Sequence, residues 1–190
     1  MINKIRNMYR INDCLKTYAV CCVVAVMGLL LLVSCSGSKN LSKTNYRELA
    51  RAGLKLGVDI AKDDNHVLFV EASKWVGVPY RSGGKSRRGV DCSGLTLCIY
   101  QNTYGVKLSP NSQMQLDRDV KHAVRKSKLR AGDLVFFSER RSRRRISHVG
   151  IYLKEGKFIH ASTSRGVRVD LLDDAYWKRR WITGGRVVNR

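Results

Sequence analysis

The chain has 190 residues, 44% of them hydrophobic, and a formal net charge of +21. That length accommodates one domain with a sizeable core and leaves no comfortable room for two, while the apolar share excludes a disordered polyelectrolyte. So large a positive charge points to an anionic partner, and its distribution along the chain narrows the choice.

Lys4, Arg6, Arg10 and Lys16 precede an uncharged run from Tyr18 to Val33. A basic start followed by about fifteen apolar residues suits an export signal better than a spanning helix, which needs about twenty. The run ends in Leu32-Val33-Ser34-Cys35, which resembles the lipobox of bacterial lipoproteins. That resemblance implies cleavage before Cys35 and lipidation of its thiol. Residues 1–34 are therefore expected to be a lipoprotein signal peptide, 35–45 a lipidated tether and 46–190 the working domain. Ser36 after the lipidated cysteine resembles lipoproteins sent to the outer membrane, so the expected location is that membrane, facing the periplasm. Loss of the four basic residues and Asp13 with the leader lowers the charge from +21 to +18. Export and a membrane anchor keep the domain from nucleic acid, and the aromatics are not interleaved with the basic runs; nucleic acid is excluded as a partner.

Of the six cysteines, Cys14, Cys21 and Cys22 leave with the leader and Cys35 is consumed by lipid. Cys92 and Cys98 remain. On one helix they would lie roughly 9 Å apart along the axis and point in different directions, which argues against a disulfide. An exported domain that keeps a free thiol exposes it to oxidation and needs a use for it.

The spacing predicts a short helix over Tyr46–Leu56, with Leu49 and Leu54 on its buried side. A second helix runs from His66 to Val76, packed through Val67, Phe69, Val70, Ala72 and Trp75 and ended by Gly77. Residues 78–90 form a Gly-rich loop. A third helix opens at Asp91 or its neighbour and ends near Gly105, followed after Pro110 by a polar helical stretch to about Arg118. The last third is β-rich: Asp133–Phe137, Ser147–Leu153, Lys157–Ala161 and Val167–Val169, with Trp181–Val188 as a further strand. Gly132, Glu155-Gly156 and Ser164-Arg165-Gly166 supply the turns. Helices first and hairpin-linked strands after them indicate an α+β domain with an antiparallel sheet.

Cys92 sits at the predicted start of the third helix, between Asp91 and Ser93-Gly94. There the helix dipole and free backbone amides favour a thiolate, and the same amides suit an oxyanion. Two of the four histidines, His148 and His160, fall on adjacent predicted strands joined by the Glu155-Gly156 turn, so their rings can share one face. A nucleophilic thiol needs a base and a group that orients the base. His148 and His160 fit those roles in that order.

In chain order, Pro79-Tyr80-Arg81, Gly83-Gly84, Asp91-Cys92-Ser93-Gly94-Leu95, Gly132 to Phe137, His148-Val149-Gly150-Ile151-Tyr152 and Phe158-Ile159-His160-Ala161-Ser162 resemble the NlpC-type cell-wall peptidases. The resemblance runs from about Val67 to Val188. It implies a reduced papain-like fold, with the cysteine helix packed on an antiparallel sheet. It further implies Cys92 as nucleophile, His148 as base, His160 as orienting residue and Tyr80 as part of the oxyanion site beside the Cys92 amide. Asp91 and Ser93 complete the expected oxyanion and substrate-binding set. The implied activity is hydrolysis of the D-γ-glutamyl–diamino acid bond or the cross-link in peptidoglycan stems. Competing readings are a wall amidase or acyltransferase on the same fold, or an inactive wall-binding scaffold. Peptidoglycan and the membrane are the expected partners, and the protein is expected to act as a monomer.

No metal or cofactor is expected, since two histidines and one cysteine lack a convincing fourth ligand. Arg140, Arg141, Arg143, Arg144 and Arg145 crowd the loop after Phe137. They read first as a solvated hairpin tip and second as a binder of wall carboxylates. Cys98 reads as core, Asp133 as a turn-satisfying residue, and His66 and His122 as surface. Trp177 and Trp181 read as packing residues, with cleft lining the second reading.

Overall fold

A computed structural model of the chain describes residues 46–139 and 145–187. The expected signal peptide, the tether and Cys35 lie outside the described residues, as do Arg140, Arg141, Arg143 and Arg144; Arg145 is exposed.

Helices α1 (Tyr46–Leu56) and α2 (His66–Trp75) open the domain. α1 buries Leu49, Ala52 and Leu56, whereas Leu54 is 85% exposed. The expectation that Leu54 shares the buried side fails on helix geometry, because residues five apart lie about 140° from each other around the axis. Asn65 caps α2, its side chain accepting from the Leu68 amide at 3.1 Å. Within the segment expected to be loop, β1 (Lys85–Ser86) and β2 (Gly89–Val90) pair as a small hairpin. α3 (Cys92–Tyr104) follows at once, capped by Asp91 and closed by Gly105 in the left-handed conformation. Beyond Pro110, a helical turn at Ser112–Met114 runs into a π-helical turn at Gln115–Asp119.

The rest is a six-stranded antiparallel sheet in the order β3-β8-β4-β5-β6-β7. Its strands are β3 (His122–Val124), β4 (Leu134–Phe137), β5 (His148–Tyr152), β6 (Lys157–Ser162), β7 (Gly166–Leu171) and β8 (Trp181–Arg186). A short helix, α4 (Ala175–Arg180), separates the last two. The α+β fold class expected from the sequence is the one observed. β3 and α4 were not expected: β3 is only three residues long and is held extended by its pairing with β8, and α4 buries Trp177 alone.

Alternation along the strands gives the sheet two faces. Leu134, Phe136, Val149, Ile151, Ile159 and Ala161 join the main core with Leu95, Ile99 and Tyr100 of α3. Val135, Phe137 and Phe158 belong to a second cluster with Leu172 and Trp177. The strands also part in one place. β4 pairs with β5 as far as Phe137 opposite His148, and β6 with β7 as far as Ser162 opposite Gly166. β5 and β6 pair only through Ile151–Ile159 and Tyr152–Phe158. Their histidine ends therefore splay, next to the N-terminus of α3.

Candidate active site

Asp91 builds the mouth of α3. One carboxylate oxygen accepts from the Gly94 amide at 2.6 Å and lies 3.0 Å from the Ser93 hydroxyl. The other accepts from the Gly83 amide at 2.8 Å, so a single side chain caps the helix and ties the preceding loop to it. The contact is too close for any side chain at Gly94, where a Cβ would fall 2.2 Å from the Gly84 carbonyl oxygen. Ser93 is buried, with its hydroxyl also 3.0 Å from the Pro110 carbonyl oxygen. The side chains of Asp91 and Ser93, expected in the oxyanion and substrate-binding set, are thus engaged in the cap and are not among those lining the cleft. Thr96 and the fully buried Gln115 brace the same turn, Gln115 donating to the Ser93 and Ser109 carbonyls.

Cys92 faces a cleft of about 520 Å³ that Tyr80, His148, His160, Asp170 and Trp177 also line. Tyr80 is placed there by the loop, which bridges to Val90 through the Arg81 amide and the Pro79 carbonyl. The Val149 amide, left over where β5 and β6 part, reaches the Cys92 sulfur, as do the amides of Ser93 and Cys92 itself. The residue before Val149 is His148. Its Nε2 is 3.1 Å from His160 Nδ1, so the two rings share one sheet face and leave His148 Nδ1 unengaged by His160. Gly150, on the same face, makes this possible: a Cβ there would lie 2.7 Å from the Phe158 ring and 3.3 Å from His160 Cβ.

The chain of contacts does not stop at His160. Its Nε2 lies 3.0 Å from Asp170 Oδ2, which also accepts from the Trp177 indole at 3.0 Å. Arg168 Nε donates to the other oxygen at 2.6 Å. Trp177 stacks on His148 with ring centroids 5.3 Å apart and meets His160 edge-on at 4.8 Å. An imidazolium formed on His148 would lie against the indole face, where a cation is stabilised. Trp177 therefore packs and lines the cleft, while Trp181 packs against Phe137.

Asp170 lies just past the strand expected from the sequence, which ends at Val169, whereas β7 runs on to Leu171. A signal existed. Val167-Arg168-Val169-Asp170 alternates apolar with charged residues, and a strand with period two sends Arg168 and Asp170 to one face. The observed register sets Arg168 opposite His160 and Asp170 opposite Phe158.

Burial decides the protonation states. It pushes the Cys92 thiol up, with Asp91 adding to the rise and the amides of Val149, Ser93 and Cys92 opposing it. The amides at the helix N-terminus favour the thiolate as expected, and desolvation outweighs them. Burial, and next to it His160, hold His148 down at about 3 despite Asp170. His160 is lowered too, chiefly by burial, although Asp170 pulls the other way. Burial would raise Asp170, yet hydrogen bonds from His160 and Trp177 and the charge of Arg168 hold it well below the usual carboxylate range. The Tyr80 hydroxyl is raised by burial and by Cys92 and Asp91. At neutral pH the site holds a neutral thiol, two neutral imidazoles, a phenol and one carboxylate.

The remaining candidates lie apart from this cleft. His66 donates from Nε2 to the Ala61 carbonyl, and His122 is exposed on β3. Asp133 accepts from the Arg130 amide as expected and also binds Arg186 through both oxygens. Cys98 is only partly buried, at the rim of the main core.

Residues 77–186 match the family model described as NlpC/P60 family. The chain is 32% identical over 179 residues to an Escherichia coli K12 protein named murein DD-endopeptidase MepS/murein LD-carboxypeptidase, an alignment covering 88% of this chain and 92% of the relative. It is 42% identical over 113 residues to a Haemophilus influenzae protein named probable endopeptidase, covering 60% and 68% of the two chains. Among solved structures, an NlpC/P60 family protein from Bacillus cereus superposes with a TM-score of 0.61 at 30% identity, over 69% of this chain and 42% of that protein's length. The matched segment holds Tyr80, Cys92, both cleft histidines and Asp170, and with it the greater part of the chain belongs to the NlpC/P60 family.

Proposed function

We propose that the protein is a cysteine endopeptidase that hydrolyses peptide bonds in peptidoglycan stems, at the D-γ-glutamyl–diamino acid bond or the cross-link. One observation carries this reading: the sulfur at the mouth of α3 shares a cleft with two hydrogen-bonded imidazoles, and one of them, His148, has a ring nitrogen that the other does not engage. The kinship with proteins named for murein and glutamyl peptide hydrolysis supplies the substrate class.

In this mechanism His148 Nδ1 takes the Cys92 proton as the sulfur attacks the scissile carbonyl carbon. A neutral thiol and a neutral imidazole suit a transfer concerted with attack, since the site does not stabilise the separated charges at rest. The Cys92 amide and the Tyr80 hydroxyl receive the oxyanion. His148 then returns its proton to the departing amine, leaving an acyl-enzyme that water cleaves by the reverse roles. His160 orients His148 throughout. Lipidation of Cys35 would hold the domain at the outer membrane, within reach of the wall.

Incubating the purified full-length protein with isolated peptidoglycan and identifying the fragments by mass spectrometry tests the proposal. Stem peptides cut at one of the two bonds are expected. Unchanged muropeptides would refute it, loss of the sugar–peptide amide would mark an amidase, and peptide transfer without net release would mark an acyltransferase.

A further inference from the structure

A carboxylate only accepts hydrogen bonds. Asp170 Oδ2 is 3.0 Å from His160 Nε2, so that nitrogen carries the hydrogen. In a neutral ring the other nitrogen, Nδ1, is then a bare lone pair. His148 Nε2 lies 3.1 Å from it and must be the donor. A neutral His148 with its hydrogen on Nε2 has its lone pair on Nδ1, the nitrogen that a base needs to present to Cys92. Without the carboxylate, the two rings have a second arrangement of equal hydrogen-bond count. His160 then donates from Nδ1 to His148 Nε2, and the His148 hydrogen sits on Nδ1, where the ring cannot accept the thiol proton.

We infer that Asp170 is a positioning residue that fixes the hydrogen on Nε2 of both histidines, and so turns the basic nitrogen of His148 toward Cys92. Its effect on turnover rests on the hydrolase reading; its effect on the rings does not. The surroundings are built for the role. Asp170 is only 14% exposed and takes three donors on two oxygens: His160 and Trp177 on one, Arg168 on the other. An asparagine has a single acceptor oxygen and cannot serve both sides, so its amide hydrogens must oppose Arg168 or the His160–Trp177 pair. The charged groups that act on the two rings are Asp170 and Arg168 from β7, Arg165 from the β6–β7 turn, and each ring on the other, while Cys92, Tyr80, Glu139 and Arg180 line the same cleft. Trp177 from α4 adds a neutral wall. With only four histidines in the chain, the ring nitrogens are few enough to observe one by one.

The test uses the full chain with ¹⁵N-labelled histidine, and compares wild type, Asp170→Asn and Asp170→Ala by long-range ¹H–¹⁵N correlation near neutral pH. His148→Gln and His160→Gln assign the signals. Wild type is expected to hold both rings as Nε2–H, and both variants to gain the Nδ1–H form. On wall peptides, kcat should fall about ten- to fiftyfold with KM within about twofold, a loss typical of removing an orienting partner. Alkylation of Cys92 by iodoacetamide, followed by peptide mass spectrometry, should slow in parallel. Should Asp170→Ala fail to fold, the nearly isosteric Asp170→Asn supplies every readout. The proposal is overturned if the variants keep both rings as Nε2–H, if wild type does not show that form, or if the tautomers shift and neither kcat nor alkylation changes. A wild type that cuts no wall peptide, but whose tautomers and alkylation respond to Asp170, sinks the hydrolase reading and leaves the lock standing.

Discussion

Both faces of the six-stranded sheet are covered, and they are covered with different chemistry. On one, Leu134, Phe136, Val149, Ile151 and Ile159 are fully buried beneath α2 and α3 with no side-chain polar atom among them. On the other, Phe137 and Phe158 are equally buried, yet they enclose His148, His160 and Asp170 in one hydrogen-bonded row under Trp177. The first face stabilises by excluding water and filling volume. The second spends part of that gain on desolvating polar groups, and remains tolerable because each of those groups has a partner. Stability and chemistry are thus divided between opposite sides of a single sheet, and the parting of β5 and β6 is where they meet.

Four substitutions and one change of condition sharpen or break this division. Cys92→Ala should lower wall-peptide hydrolysis by at least about 10³-fold while leaving the thermal midpoint within about 2 °C, and His148→Ala should come close to it in activity. Turnover retained by Cys92→Ala would remove the chemical role of the polar face altogether. Phe136→Ala, on the apolar face, should cost about 3–5 kcal/mol in urea denaturation, with kcat per folded molecule nearly unchanged. A folded Phe136→Ala protein that is inactive would show the two faces to be coupled. His160→Ala should leave partial activity, about 10–10²-fold below wild type, because it orients the base without touching substrate. Full activity would reduce His160 to packing.

The last effect concerns pH. His148 is held at about 3 in the folded protein, against an ordinary value of 6.5 in the unfolded chain. Below about pH 6.5 the unfolded chain binds a proton that the folded one refuses, so stability is complete above that pH and declines as pH falls toward 3. Urea midpoints measured from pH 7 down to pH 4 should therefore decrease, and His148→Gln should flatten the slope. A pH-independent midpoint in wild type would mean that the polar face is not dry.

Most helices and strands were legible because their patterns are local. The Asp91 cap, the Gly105 stop and the apolar alternation of β4, β5 and β6 each announce an element within a few residues. Where a pattern was thin, as in the three residues of β3 or in α4 with one buried side chain, the element exists because its neighbours hold it. The triad candidates were legible for a similar reason, as residue types of known chemistry in telling positions. Asp170 and Trp177 were harder: neither is unusual alone, and their role depends on the β6–β7 register and on α4 folding back over the rings.

Sequence alone settled the α+β class, the order of the main helices and strands and the identity of Cys92, His148 and His160 as the residues to watch, since periodicity, capping and residue chemistry act over short stretches. Tertiary structure decided the charge states and the length of the polar row. Desolvation at Cys92 overrides the helix amides, and a carboxylate from β7 reaches His160 only once β6 and β7 are in register. Burial and cross-strand distance belong to the folded whole, and no local stretch of chain encodes them.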